Sequence, residues 1–334
     1  MSVLSASYPR GAVPGARLQL TGSRLPLPAD APPRVWFGSR EARVASASTR
    51  AITVIVPPEC EGGPTVVRID GLDGESLMVD VARRLADDVH QVDSPVCTPD
   101  GTVWATVSGS RDEKPSTPLY KIGPDGAREG VVATIGNPTS MTVGPDGAVY
   151  VSSRFEGVVY RVTDRGTAEA FASDLGVATG LAFGRDGALY VGDRSGSIMR
   201  IAPSAVSNPS REVETFASLP PSVSAFHLAM GPDDCLYVAA PTLAARDVIY
   251  RITPDRRVDS WFTGFGRPQG LAFDPAGTLF VVEGLAGSAG LYRIDVSKAS
   301  PEPELIVSAQ QLVGVAVHPQ GGLVLASADT LWQI

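Results

Sequence analysis

The chain reads as an all-β protein, a small β-sandwich over residues 1–81 followed by a six-bladed β-propeller over residues 82–334. Three observations predict this. The 334 residues include 35 glycines and 28 prolines, too many turn-formers for a helical protein, while a 43% hydrophobic content excludes a disordered chain. One phrase (apolar strand, tight turn, apolar strand, polar loop, third strand) recurs six times, with its turn residue at Gly101, Gly147, Gly187, Asp234, Gly277 and Gly321. The first eighty residues carry no copy of that phrase, and the length suits about two domains.

The N-terminal segment contains the apolar runs ARLQLTG (from Ala16), RVWFG (from Arg34), AITVIVPP (from Ala51) and TVVRIDG (from Thr65), separated by Gly/Pro turns. These are short strands of a sandwich. The repeats follow. Successive turn residues lie 46, 40, 47, 43 and 44 positions apart, a period that fits propeller blades rather than a helical solenoid. Typical copies are SMTVGPDGAVYV from Ser140, GLAFGRDGALYV from Gly180 and GLAFDPAGTLFV from Gly270. Asp-Gly supplies the positive φ of a tight hairpin. The third strands, from YKI at Tyr120 to WQI at Trp332, alternate apolar and polar residues as a strand with one covered face does. The sixth repeat reaches only its third strand. ARRLADDV places Leu85 15 residues before Asp100, as Phe171 stands 15 before Asp186, so residues 82–88 are expected to close the ring as its missing outer strand.

The order of phrases over residues 3–81 resembles the IPT/TIG family of immunoglobulin-like domains, carried by Ser5–Gly22, Val35–Pro58 and Gly62–Gly71. The resemblance implies an immunoglobulin-like fold used for contact, spacing or dimerisation. Residues 82–334 resemble the NHL-repeat propellers and the senescence-marker-protein/gluconolactonase group. Some members of the latter hydrolyse lactones or phosphoesters with a divalent metal at the mouth of the central channel. In that pattern DSPV from Asp93 matches the phrase bearing a liganding carboxylate, which makes Asp93 the candidate metal ligand. The next two matching positions hold Thr139 and Thr179 where the family has asparagines, and the fourth holds Phe226 where it has an aspartate. Threonine is a poor ligand for a hard dication and phenylalanine is none. The expectation is therefore no cofactor, with a channel cation such as Ca2+ as the alternative. A register one residue different exchanges Phe226 for His227, a potential base or ligand.

Asp93, Thr139, Thr179, Asp193, His227, Gln269 and Glu283, joined by Arg154 and Arg194, are the candidate ligand-binding residues around one mouth of the propeller. His227, Asp93 and Glu283 are the candidates for acid/base work. The competing reading is of solvated loop residues and internal ion pairs. His90 falls in the closing segment and His318 in a hairpin turn, and no Gly-x-Ser-x-Gly elbow occurs. Cys60, Cys97 and Cys235 suit neither a disulfide framework nor a zinc site and read as ordinary thiols, Cys97 in a core strand.

Acidic residues outnumber basic ones by 36 to 28 and the basic ones are scattered, which argues against a nucleic-acid partner. No run approaches the ~20 apolar residues of a membrane span. MSVLSASYPRG lacks the layout of a secretory signal, so a cytoplasmic chain is expected; a secreted chain with its signal trimmed would read the same. Long inserts at 108–118, 202–211 and 239–248 add loop surface for a partner. The sequence favours a non-catalytic binding or assembly protein for a protein partner or small polar ligand, with homodimerisation through the N-terminal domain. The second expectation is a hydrolase or lyase acting on a small ester or lactone.

Overall fold

The computed structural model describes residues 3–72, 74–109, 115–131, 134–163, 166–203 and 212–334. Residues 110–114 and 204–211, within the first two expected inserts, lie outside them. The fold is all-β and contains a β-propeller. In repeat 1 the strands Val96–Cys97, Val103–Thr106, Leu119–Ile122 and Arg128–Val131 form a four-stranded antiparallel sheet, in sequence order from the inner strand outward. Repeats 2, 3 and 4 repeat this arrangement, with inner strands at Pro138–Val143, Ala178–Phe183 and His227–Met230. Repeat 6 orders Leu312–Val317, Leu323–Ser327 and Leu331–Gln333, then takes Arg83–Ala86 as its fourth strand. The segment expected to close the ring thus pairs where the spacing placed it.

Five four-stranded sheets stand as separate blades, where six were expected. The four strands of repeat 5 (Pro268–Phe273, Thr278–Glu283, Gly290–Asp295 and Glu304–Ser308) belong to a twelve-stranded sheet that continues into the N-terminal segment. The join is Gly11–Ala12, which pairs in parallel with Val307–Ser308 on one side and Asp80–Val81 on the other. Gly11 fits because it lacks a side chain: a Cβ there would lie 2.8 Å from Ile334 Cδ1. A sandwich standing apart from the propeller is therefore not what the strand order gives. Short apolar runs reveal strands but not which distant edge a two-residue strand will join. The N-terminal strands nonetheless enclose their own apolar cluster, in which Leu18, Leu20, Ile52, Val54, Phe37 and Val67 are buried. Exposed Arg17 and Gln19 alternate with buried Leu18 and Leu20, the period-two pattern of a half-covered strand.

All six turn residues named from sequence adopt positive φ, five as glycine and the sixth as Asp234 at 57°, a residue type that tolerates this region. The aspartate of the turn has a second use. Arg161 Nε donates to Asp146 Oδ2 at 2.7 Å, Arg200 Nη2 to Asp186 Oδ2 at 2.7 Å and Arg251 Nη2 to Asp233 Oδ2 at 2.8 Å. The polar residue of the third strand therefore clamps the hairpin of its own repeat. Partial burial is the largest single influence on these carboxyls and raises their pKa, but the arginine hydrogen bond, a backbone N–H and the arginine charge together outweigh it, and all three lie below the ordinary aspartate value. Such pairs stabilise above the unfolded-state pKa, and that contribution disappears as pH falls through the lower folded-state pKa. We expect the combined substitution Arg161→Met, Arg200→Met and Arg251→Met to cost about 1–2 kcal/mol at pH 7, at roughly 0.5 kcal/mol per partly exposed pair. Thermal melts from pH 6 to 3 should show the variant losing less stability on acidification than the parent. Parallel profiles would refute the clamp.

Candidate functional site

The inner strands approach one another closely at the channel. Met141, Leu181, Leu228, Leu271 and Val315 each pair with the central residue of their second strand, at Val151, Val191, Val238, Val281 and Leu325. The residues just before them, with Ser94 of repeat 1, form one layer: Ser94, Ser140, Gly180, His227, Gly270 and Gly314. Five of these are small because the neighbouring backbone is near. A Cβ at Gly314 would lie 2.4 Å from Ser94 Cα, at Gly270 2.5 Å from Gly314 Cα, and at Gly180 2.5 Å from the Phe226 carbonyl oxygen. The two hydroxyls stitch adjacent strands, Ser94 Oγ accepting from Val315 N at 3.2 Å and Ser140 Oγ from Leu181 N at 3.2 Å.

His227 is the one large side chain in this layer. Its Nδ1 lies 2.6 Å from Asp93 Oδ1, joining repeat 4 to repeat 1, and Asp93 Oδ1 also accepts from Ser94 N at 2.7 Å. Both side chains are nearly sealed, at 1% and 7% exposure. With Nδ1 donating to the carboxylate, Nε2 carries the lone pair. That nitrogen is buried and meets no hydrogen-bond partner among the described residues. The register question is thereby answered. His227, not Phe226, faces Asp93, while Phe226 is fully buried and gives its N–H to Thr179 Oγ1 at 3.1 Å. The inner strands of all six repeats line a cavity of about 360 Å3 on which Asp93, Ser94 and Ser140 border.

The remaining candidates hold the scaffold. Thr179 Oγ1 donates to Gly192 O at 2.9 Å and Thr139 Oγ1 to Asn137 O at 3.2 Å. Asp193 Oδ1 accepts from Val177 N at 2.9 Å and Ser195 N at 3.2 Å. Glu283 accepts from Gly266, Arg267 and Leu285 N at 2.7, 2.8 and 2.6 Å. Ser153, at the same position in repeat 2, donates to Gly136 O. The end of each of these second strands thus fixes the loop that leads into its own inner strand. Gln269 is half-buried against Gly284. His90 Nδ1 is engaged by Ser108 O, and His318 joins two hairpins through Nε2 to Gly101 O at 3.1 Å. Cys97 and Cys235 are free thiols that burial pushes up to about 12 and about 11, so neither is a ready nucleophile.

For a hard dication the donors do not fit. Asp93 is taken up by His227, the threonine hydroxyls are bonded within the scaffold, and no group of three or more His, Cys, Asp or Glu able to hold a metal is formed among the described residues. On the loop face Arg154 follows the second strand of repeat 2 and Arg194 occupies the same position in repeat 3. Both are half-buried. Asn137, buried at 3% exposure beside the paired residues Pro138 and Ser153, leaves its side-chain oxygen without a partner among the described residues. The sequence gives one signal for it, an Asn-Pro step at the start of an inner strand, where φ is 50°. No helix of the described residues is long and apolar enough to cross a membrane.

The strand order, channel and closing segment define the class, an all-β propeller protein with further strands joined to one of its repeats. The family model "Strictosidine synthase-like, N-terminal" matches residues 180–201, the first three strands of repeat 3. No curated protein matches. A structural-genomics protein of unknown function from Bacteroides thetaiotaomicron is similar over 99% of this chain and 97% of its own, at 15% identity and a TM-score of 0.59. A gluconolactonase from Xanthomonas campestris is similar over 91% and 97%, at 14% identity and a TM-score of 0.58. An auxiliary nutrient binding protein from Bacteroides ovatus is similar over 100% and 97%, at 13% identity and a TM-score of 0.56. At such identities the likeness is one of fold.

Proposed function

We propose that this chain is a non-catalytic binding protein whose propeller presents a loop face to a small polar ligand or a protein partner. In this reading the strands of repeat 5 count as a sixth blade, and residues 1–81 are an immunoglobulin-like contact or dimerisation module of the IPT/TIG kind. One observation carries it: the polar side chains that chemistry would need are already committed. Thr179, Asp193 and Glu283 hold backbone groups, and His227 is sealed at 1% exposure with its free nitrogen buried. The likeness of fold to an auxiliary nutrient binding protein over the full chain agrees with a binding role.

The buried His227–Asp93 pair favours a second reading, a hydrolase or lyase for small esters or lactones. A carboxylate accepting from Nδ1–H orients the ring and leaves the Nε2 lone pair free in that tautomer. It could take a proton from water as the water oxygen adds to the carbonyl, and return it to the departing alkoxide. An assay of wild type and His227→Ala against a panel of lactones, with and without millimolar calcium, separates the two. We expect background hydrolysis from both proteins and no calcium-dependent rise in melting temperature. Turnover that falls ~100-fold or more on removing His227 would overturn the binding reading.

A further inference from the structure

We propose that the loop face binds a small oxyanion, a carboxylate or a phosphate, between Arg154 and Arg194, with Asn137 receiving a hydroxyl from the same ligand. This deepens the binding reading and rests on it for the choice of face. Arg154 and Arg194 occupy the same position at the ends of the second strands of neighbouring repeats, so their stems leave the scaffold side by side. Neither arginine is paired with a carboxylate among the described residues, although the chain carries a net charge of -8. The third-strand arginines differ: Arg161, Arg200 and Arg251, in repeats 2, 3 and 4, each have an acid at 2.7 or 2.8 Å.

Among the described residues the Arg194 guanidinium makes one hydrogen bond, Nη2 to Val223 O at 2.9 Å. The guanidinium of Arg154 lies over the Phe155 ring at 4.9 Å, and its Nε is buried with no hydrogen-bond partner among the described residues. Burial and the neighbouring Arg194 both depress the Arg154 pKa, the mark of a cation that is desolvated and repelled. A buried donor left unmet, and two like charges without a counter-charge, are costs the folded protein carries unless something arrives to relieve them. An oxyanion would do so through the fork geometry of guanidinium. Asn137 adds the complementary group. Its side-chain oxygen is buried and unpartnered, and it sits one residue from Pro138, which pairs with Ser153 beside Arg154.

The test uses the purified full chain, with glycolate and inorganic phosphate as probes and chloride at matched ionic strength as the reference, read by calorimetric titration and thermal melting. We expect one of the two probes to bind and raise the melting temperature above the chloride value. A preference for glycolate identifies a carboxylate ligand and a preference for phosphate a phosphorylated one. Arg154→Gln should weaken that affinity at least tenfold and, in the absence of probe, raise the melting temperature, because it removes an unpaired buried charge. Arg194→Gln should weaken it similarly, and Asn137→Ala should weaken glycolate more than acetate. The inference is overturned if neither probe exceeds chloride. It is also overturned if Arg154→Gln keeps full affinity or melts lower, or if a neutral polyol binds while both anions fail; in that last case the binding reading stands.

Discussion

Substituting valine for Gly314 should destabilise the propeller more than any other single exchange among its inner strands. The Cβ alone would come within 2.4 Å of Ser94 Cα and 2.8 Å of Asp93 O, which are backbone atoms that cannot swing aside. Gly314 and Ser94 belong to the sixth and first repeats, which are also held there by Val315 N donating to Ser94 Oγ. Valine must therefore push apart the two repeats on which ring closure depends, or distort the strand that carries Asp93. Overpacking in an ordinary core costs about 1–3 kcal/mol. A backbone-to-backbone seam without slack should exceed that, so about 4 kcal/mol or failure to express as a soluble monomer is the expected result. Ser140→Ala in the same layer, which removes one hydroxyl and adds no bulk, should cost about 1 kcal/mol. Thermal melts of the two variants provide the check, and equal losses would contradict the picture of a sterically closed layer.

Removing Asp93 is the second large effect. Asp93→Leu leaves His227 buried at the channel with both ring nitrogens unmet, where one is unmet now. The loss of the acceptor for a buried donor should cost about 3 kcal/mol, a fall in melting temperature of several degrees for a protein of this size. Because the cost comes from the orphaned partner, replacing both residues should restore most of it. Asp93→Leu with His227→Leu is expected within about 1 kcal/mol of wild type, and the double-mutant cycle should give a coupling of roughly 2 kcal/mol or more. Additive losses from the two single variants would show that the pair is not a cross-channel clasp. The same double variant should retain binding at Arg154 and Arg194, since those side chains project from different repeats.

Much of this fold is local in origin and so could be read from the chain. The six turn residues and the short strands repeat within about forty residues, and local periodicity reports them faithfully. Closure by residues 83–86 was legible for a subtler reason: the spacing of Leu85 from Asp100 copies a spacing internal to a repeat. Other features have no such periodic trace. Gly11–Ala12 joins an edge nearly three hundred residues away through two parallel pairs, and nothing in a Gly-Ala dipeptide names its partner. At the candidate site the sequence brought Asp93 and His227 to the same mouth but could not show that they meet. It also placed Asp193 and Glu283 near the channel, whereas their oxygens face backbone N–H groups of the adjoining loops. Which way a carboxylate turns depends on the bend of a loop, and that bend is not a pattern in residue types. Asn137 escaped notice because a buried unmet oxygen is visible only once its surroundings are known.

The strand Arg83–Ala86 has a temporal consequence. It pairs with Leu331–Gln333, and Arg83 Nη2 donates to Gln333 Oε1 across 250 positions of sequence. During synthesis, residues 83–86 leave the ribosome long before their partners exist, and the edge of repeat 1 waits with them. Gly11–Ala12 likewise waits for residues 307–308. For most of its manufacture the nascent chain is an open arc with unsatisfied strand edges, which pair with other chains when crowded. The strand Leu331–Gln333 therefore acts as the catch of the ring. Slow translation through repeats 5 and 6, or a truncation before Leu331, should be felt first as aggregation, before any loss in the blades already built.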